Sequence, residues 1–474
     1  MSNAPRGSRR GGLRNALAGG IASRSEPDLV RGFGLLQATA LNMTNVVGVG
    51  PFITIPLILA TMGGPQAMLG WILGALLAIC DGQVWSELGA AWPGAGGSYR
   101  YLREAYGPQG FGRLMAFLFI WQFVLSGPLE IASGMIGFSG YAAYLLPGMS
   151  ALGRKLLAAG VGLLALVLLY RRIALLARFT VALWAGTVAT IVIVLATGLP
   201  HFDPKLAFSF PAGAFTFSRG FLMGLGSSML IAMYDYMGYY DVCYIGDEVR
   251  DPERVIPRSI LYCVLATAAA YLLMNVVLIG VVPWQQALHS HFLVSQFIER
   301  LHGRVPAILV TVTILWTAFG SVFALLLGYS RIPYAAARDG FFFSVFAKLH
   351  PTKRIPHISL LVLALVAMGA AFFPLDAVIA CLITTRVLVQ FVGQVLALPL
   401  LRRRLTAAER PYRMPFYPLP AVIALLGWVF VFVTSARIYI ELGLLTLGLG
   451  IVVYFFRAWL IGTWPFPRRS PVHQ

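Results

Sequence analysis

The chain has 474 residues, 58% of them hydrophobic and only 11% charged. A water-soluble fold cannot hide that share of apolar side chain, so lipid must be the solvent. The net charge of +18 therefore reads first as membrane topology rather than as a nucleic-acid surface. Four cysteines, Cys80, Cys243, Cys263 and Cys381, fall in or beside apolar runs and make neither a disulfide framework nor a zinc spacing.

Residues 1–34 are rich in Gly, Ser and Arg and read as a disordered basic tail. Its plainest role is to set topology, with lipid or partner binding as the alternative. The short apolar stretch 13–22 is interrupted by Arg14, Asn15 and glycines, and makes a poor signal-peptide core.

A helix needs about 20 apolar residues to cross a bilayer. Twelve stretches qualify: 35–60, 66–90, 112–146, 156–170, 179–199, 220–246, 259–282, 305–332, 357–373, 376–401, 416–436 and 441–463. Gly63-Gly64-Pro65, Pro147-Gly148 and Pro374 punctuate the tight connections. The first stretch holds "NVVGVGPFITIP", two glycines and a proline mid-span. The third carries Glu130, and the sixth carries Asp235 and Asp241 with Gly238 between them. A partly amphipathic loop, 283–304, is expected to form an extracellular helix across the mouth, and a tail, 464–474, closes the chain.

An even number of spans puts both ends on one side, and basic residues choose it. Of the 36 lysines and arginines, 28 fall on the tail side and seven on the other, while Arg386 lies within the tenth span. Both termini are expected in the cytoplasm, with the protein integral to a plasma or inner membrane.

A carboxylate at the centre of a span costs about 2.5–3.5 kcal/mol on insertion scales, so Asp235 and Asp241 demand a wet or paired setting. The first and sixth spans are both irregular, and the sixth opens a second set of five. Discontinuous helices at matching places are the mark of an inverted repeat, here 35–199 and 220–401, with 416–463 appended. An unwound stretch frees backbone groups that lipid cannot satisfy, so it persists only beside ligand, ion or water. After Gly48-Val49-Gly50 a new half-helix starts at Pro51, where the missing N–H is harmless. Its electropositive amide end fits a carboxylate, and the carbonyl end of the first half of span six fits an ammonium. Together they describe a zwitterion site; the bland alternative is two packing kinks.

At these residues the chain resembles the amino acid–polyamine–organocation superfamily of transporters, from about 35 to 463. The matching blocks are "NVVGVGPF", "WSELGAAWPGAGGSYRYLREAYGP", "GDEVRDPERVIPRSI", "YSRIPYAAARDGFF" and "ERPYRMPFYPLP". The resemblance implies an all-α integral membrane fold of twelve helices with a LeuT-like five-plus-five core, moving amino acids by alternating access. It places the carboxylate at Gly48, Val49 and Gly50, near Asn45, and the ammonium at carbonyls around Val46, Val47 and Tyr234. Tyr234 falls on the aromatic gate, and Gly238, Tyr239 and Tyr240 follow the family's pattern at the unwound stretch. Val49 stands where the family often has Ser, and Pro51 where Ile is usual, so backbone amides alone must serve. Plant-type polyamine carriers have an acid at the place of Tyr240, which argues against a polyamine, although Asp235 and Asp241 leave an organic cation open.

The carrier reads as a permease or an exchanger, with coupling left open between a proton, a sodium ion and exchange. Thr187 occupies the place of a lysine that some members use in a proton relay, and Thr317 and Ser321 offer oxygens to sodium, or simply bond to their own helix. Glu130 reads either as a substrate or proton group or as a structural partner of Arg386. Glu87 reads as structural. The cluster Asp247, Glu248, Asp251, Glu253 with Arg250, Arg254 and Arg258 reads as a solvated helix start or an inner latch. No cofactor is implied. The histidines lie outside mid-span positions, and no zinc-protease, nucleophile-elbow or Walker motif is present, so an intramembrane enzyme is the weaker class. A pore would want a filter motif, and none is visible.

Overall fold

The computed structural model describes residues 33–94, 96–170, 176–353, 355–407 and 409–466. The basic tail up to residue 32, the end from 467, Arg171, Arg172, Arg354 and the side chains of Arg178 and Asp247 lie outside them. Among the described residues every regular element is a helix, with a single parallel bridge between Phe33 and Val249.

The helices in chain order begin with α1 (Leu35–Val46), α2 (Gly50–Ile53), α3 (Ile55–Met62), α4 (Leu69–Ala91) and α5 (Ser98–Tyr106). Then come α6 (Phe111–Leu145), α7 (Ala151–Leu169), α8 (Leu176–Gly198), α9 (Pro204–Ala207) and α10 (Arg219–Tyr236). The second half holds α11 (Pro252–Ile279), α12 (Trp284–Ala287), α13 (Leu293–His302), α14 (Arg304–Tyr329) and α15 (Arg331–Arg338). It ends with α16 (His357–Ala370), α17 (Leu375–Arg386), α18 (Gly393–Arg404), α19 (Leu419–Val433) and α20 (Arg437–Ile461). A π-turn, Val387–Val392, joins α17 to α18.

Seven helical segments are long and apolar enough to cross a membrane, and three shorter apolar helices accompany them among the described residues. The other two apolar stretches are the interrupted ones, α1–α3 and α10 with its short continuation. Helix α6, at 35 residues, runs about 50 Å at 1.5 Å per residue, which exceeds the ~30 Å hydrocarbon layer and requires tilt or protrusion. The loop expected to hold a helix after 283 does so: α13 packs on α14 and gives its Ser295 hydroxyl to Thr311 at 2.7 Å. Helices α5 and α15 are additional short amphipathic pieces in what hydropathy marks only as connections.

Backbone chemistry explains the first break. Helix α1 stops at Val46, and the Val46 carbonyl accepts the Tyr271 hydroxyl at 2.9 Å. Helix α2 starts at Gly50, one residue before the expected Pro51, and Pro51 in its first turn needs no amide partner. Pro56 then removes the donor that would serve the Phe52 carbonyl four residues earlier. The Tyr141 hydroxyl replaces it at 2.7 Å. Thr54, at the joint between α2 and α3, lends its hydroxyl to Gly50 O at 3.1 Å and to the Asp235 carboxylate at 2.6 Å.

Helix α10 is capped by Ser218 and ends at Met237, where the chain extends to Gly238 at φ +108°. That angle suits glycine, and so does the space: a Cβ there would lie 3.0 Å from Val46 N and 3.1 Å from Asn45 C. The two breaks are thus in contact. Asn42 and Asn45 cross-link them, taking the Val242 amide at 2.8 Å and donating to Asp241 at 2.7 Å. Phe33 ties the same segments again, donating to Glu248 O and accepting from Arg250 N.

Candidate functional site

Between the breaks lies a cavity of about 30 Å³, lined by Asn45, Val46, Val49 and Gly50 from the first, Tyr234, Asp235 and Met237 from the sixth, and Glu130, Ser133, Gly134, Ser321 and Leu325. No hydrogen bond leaves the amides of Val49 or Gly50 among the described backbone contacts, whereas Val47, Gly48 and Phe52 are all paired. Two free N–H groups at the start of a half-helix form a ready anion seat.

Of the residues singled out from the sequence, the cavity gathers Asn45, Val46, Val49, Gly50, Glu130, Tyr234, Asp235 and Ser321. Val47, Gly48, Gly238, Tyr239, Tyr240 and Asp241 shape it from behind and do not line it. Tyr239 donates to Asp81 at 2.6 Å, beside the indole N–H groups of Trp85 and Trp428. Tyr240 stacks on Trp85 with ring centres 4.2 Å apart. Asp241 faces Asn45.

Ser133, Gly134, Met237 and Leu325 line the cavity without having been singled out from the sequence. Ser133 had a signal: it follows Glu130 by three residues, on the same face of α6. It meets the Tyr234 hydroxyl at 2.7 Å and fixes that ring over the cavity.

Glu130 is one half of a buried ion pair. Its carboxylate lies 2.8 Å from the Arg386 guanidinium and takes the Tyr329 hydroxyl at 2.8 Å. Arg386 also reaches the Ser126 hydroxyl at 3.1 Å, and its guanidinium carbon lies 5.7 Å from the Phe123 ring centre and 5.9 Å from that of Tyr329. It stands directly before the π-turn, a distortion frequent at functional sites.

The three hydroxyls considered for a coupling ion form a chain. Thr187 donates to Thr317 at 3.2 Å, Thr317 to the Thr313 carbonyl at 2.9 Å, and Ser321 to the Thr317 carbonyl at 3.2 Å. Ser321 also abuts the first break, since a Cβ on Gly48 would stand 2.8 Å from its oxygen.

A second cavity, of about 320 Å³, lies further along α6 toward α7, with Ile53, Ile136, Gly137, Arg154, His291 and Asp376 in its wall. Val49 lines the small cavity and Ile53 and Gly137 the larger one, and the Val49 and Ile53 side chains both crowd Gly137, where an added Cβ would stand 3.1–3.2 Å from each. The arginine-rich end is closed more heavily. Glu87, fully buried on α4, is held by Arg402 at 2.6 Å, Arg410 at 3.1 Å and the Met414 amide at 2.8 Å. Tyr99 bonds to Asp339, and Tyr412 to Gln83, at the same end.

Glu87→Ala should therefore destabilise the fold. Breaking a buried pair costs about 3–5 kcal/mol, and the arginines keep some contact with solvent, which favours the lower end. The thermal unfolding midpoint of the purified protein should fall clearly; an unchanged midpoint would show that Glu87 does not anchor the 402–417 segment.

Compared with known proteins, residues 33–455 match the model of the amino acid permease family. The chain is 25% identical over 412 residues to the serine/threonine exchanger SteT of Bacillus subtilis, covering 85% of this chain and 90% of that one. It is 24% identical over 419 residues to the methylthioribose transporter of the same organism, covering 85% and 88%. It is 26% identical over 441 residues to the branched-chain amino acid permease BcaP of Lactococcus lactis, covering 88% and 92%.

Proposed function

This chain belongs to the amino acid permease family and is a secondary transporter of amino acids rather than an enzyme; we propose that it works by alternating access, holding a zwitterion between the two broken helices. The observation that carries this reading is the pair of unpaired amides at Val49 and Gly50, facing a cavity walled on its far side by α10. In it the substrate carboxylate sits on those amides and its ammonium meets carbonyls near Val46 and Tyr234. Tyr234 covers it, hinged on Ser133. A space of about 30 Å³ admits a water, not an amino acid. Loading thus requires Val49, Ile53 and Tyr234 to separate and join it to the larger cavity.

The twelve apolar stretches, 35–463, form a LeuT-like core of ten spans plus two, with cytoplasmic tails 1–34 and 464–474. The arginine-rich end faces the cytoplasm, so the larger cavity is the outer vestibule and the Glu87 cluster belongs to the inner closure. In this reading Thr187 and Thr317 tie α8 to α14 and Ser321 backs the first break at Gly48, while their oxygens keep lone pairs open to a sodium ion. An organic cation is the second reading, favoured by Glu130 and Asp235 in the wall. It is the weaker one because Arg386 neutralises Glu130.

Purified protein should bind at least one member of a radiolabelled panel of acidic, basic, hydroxylated and branched-chain amino acids, and release it chemically intact. Binding of spermidine or methylthioribose, with none of any amino acid, would overturn the zwitterion reading.

A further inference from the structure

Asp235 occupies an unusual place. It lies in the last turn of α10, 2% exposed. One carboxylate oxygen accepts from Thr54 at 2.6 Å; the other is buried without a partner. A Cβ on Gly50 would stand 2.2 Å from that second oxygen. The carboxylate therefore lies against the first residue of α2, beside the two free amides of the anion seat.

No cation compensates it among the described contacts. Tyr234 and Tyr236 on its own helix, Tyr271 from α11 and Glu130 across the cavity are the titratable groups nearest it. Arg386, from α17, is committed to Glu130 and Ser126. Asp81, from α4, is held by Tyr239, Trp85 and Trp428. Helices α2, α3 and α19 bring no ionisable side chain.

Two carboxylates cannot both be charged at one dry seat. We propose that Asp235 is an internal competitor for the substrate's carboxylate, so that an amino acid binds only when Asp235 holds a proton. This rests on the zwitterion reading above. The proton comes from solution and settles on an Asp235 oxygen. The amino acid keeps its charge, and its carboxylate takes the Val49 and Gly50 amides together with the new acid O–H. No other bond changes. Where the empty site is ionised, binding one amino acid then takes up one proton, which makes Asp235 the point at which a proton gradient acts on transport.

The test is equilibrium binding of radiolabelled serine, leucine, arginine and glutamate to the full chain in nanodiscs between pH 5 and 8.5. Wild type should show a flat acid limb, then a Kd rising up to tenfold per pH unit. Asp235→Asn should vary less than threefold across the range. Thr54→Val removes a hydrogen bond that favours the charged form, so the alkaline fall should move to higher pH. Uptake of up to one proton per bound amino acid should appear in weak buffer, a readout on wild type that holds even if Asp235→Asn fails to fold. A flat wild-type profile without proton uptake, or a wild-type slope in Asp235→Asn, overturns the proposal. So does loss of arginine alone in that variant, which would make Asp235 a side-chain contact. No binding at any pH by wild type overturns the zwitterion reading itself, and this proposal with it.

Discussion

Gly50→Ala should weaken amino acid binding about 5- to 150-fold, the range set by the 1–3 kcal/mol that overpacking typically costs. The added methyl would stand 2.2 Å from Asp235 Oδ1 and 3.4 Å from Tyr234 Cε1. The first distance is impossible, so the Asp235 side chain must shift. It is tethered to Thr54, and Tyr234 behind it is tethered to Ser133, so displacing one strains the floor and the lid of the same small cavity. The strain falls where a ligand binds, not on a remote helix contact. Gly160→Ala on α7 is the control, since nothing lies within 4 Å of its added methyl; there alanine should be neutral or slightly helpful to the helix. In an Asp235→Ala background the clash partner is gone, and Gly50→Ala should cost several-fold less. Equal losses in both backgrounds, read by ligand binding, would show that the Gly50–Asp235 contact does not shape the site.

The sequence carried the plan of this site better than its lining. Two helix breaks are legible because glycine and proline within an apolar run have few explanations that do not involve the backbone. The Glu130–Arg386 pair was also legible: each is a lone ion inside a span, and a lone ion in lipid must find its opposite. Which residues face the cavity was much less so. The break at Gly238 was legible, and the resemblance put Tyr239 and Tyr240 at it, but an unwound stretch has no repeat from which to read which side chains turn inward. The chain leaves the helical repeat at Met237 and turns at Gly238, φ +108°, so side-chain directions beyond it follow from tertiary contacts. Asp241 meets Asn45, and Tyr239 meets Asp81, partners 196 and 158 residues away. No local pattern encodes such pairings. The Tyr141 hydroxyl that replaces the donor lost at Pro56 is another case: the vacancy is visible in the sequence, but its occupant lies 89 residues distant. Helices α5 and α15 escaped for a different reason. Their apolar faces pack on neighbours, and a search for long uniform hydropathy passes over alternating faces.

Arg386→Met should be among the most destabilising single substitutions in the membrane core, by about 3–5 kcal/mol. The guanidinium is 1% exposed and lies 2.8 Å from Glu130. Removing it leaves a carboxylate in the wall of the central cavity with only the Tyr329 hydroxyl to meet it. Arg386→Lys should recover little, because a point-like ammonium cannot reach Glu130 and Ser126 together while keeping contact with the Phe123 and Tyr329 rings. Glu130→Gln in the Arg386→Met background should recover most of the lost stability, since an amide still accepts from Tyr329 and no charge is left stranded. Thermal unfolding of the four proteins in one detergent closes the double-mutant cycle. A double variant no more stable than Arg386→Met would mean that Arg386 acts through packing alone. If the double variant is stable but no longer binds amino acid, the pair is held for function: it keeps Glu130 in place and charged at the cavity wall, next to the π-turn where α17 changes pitch.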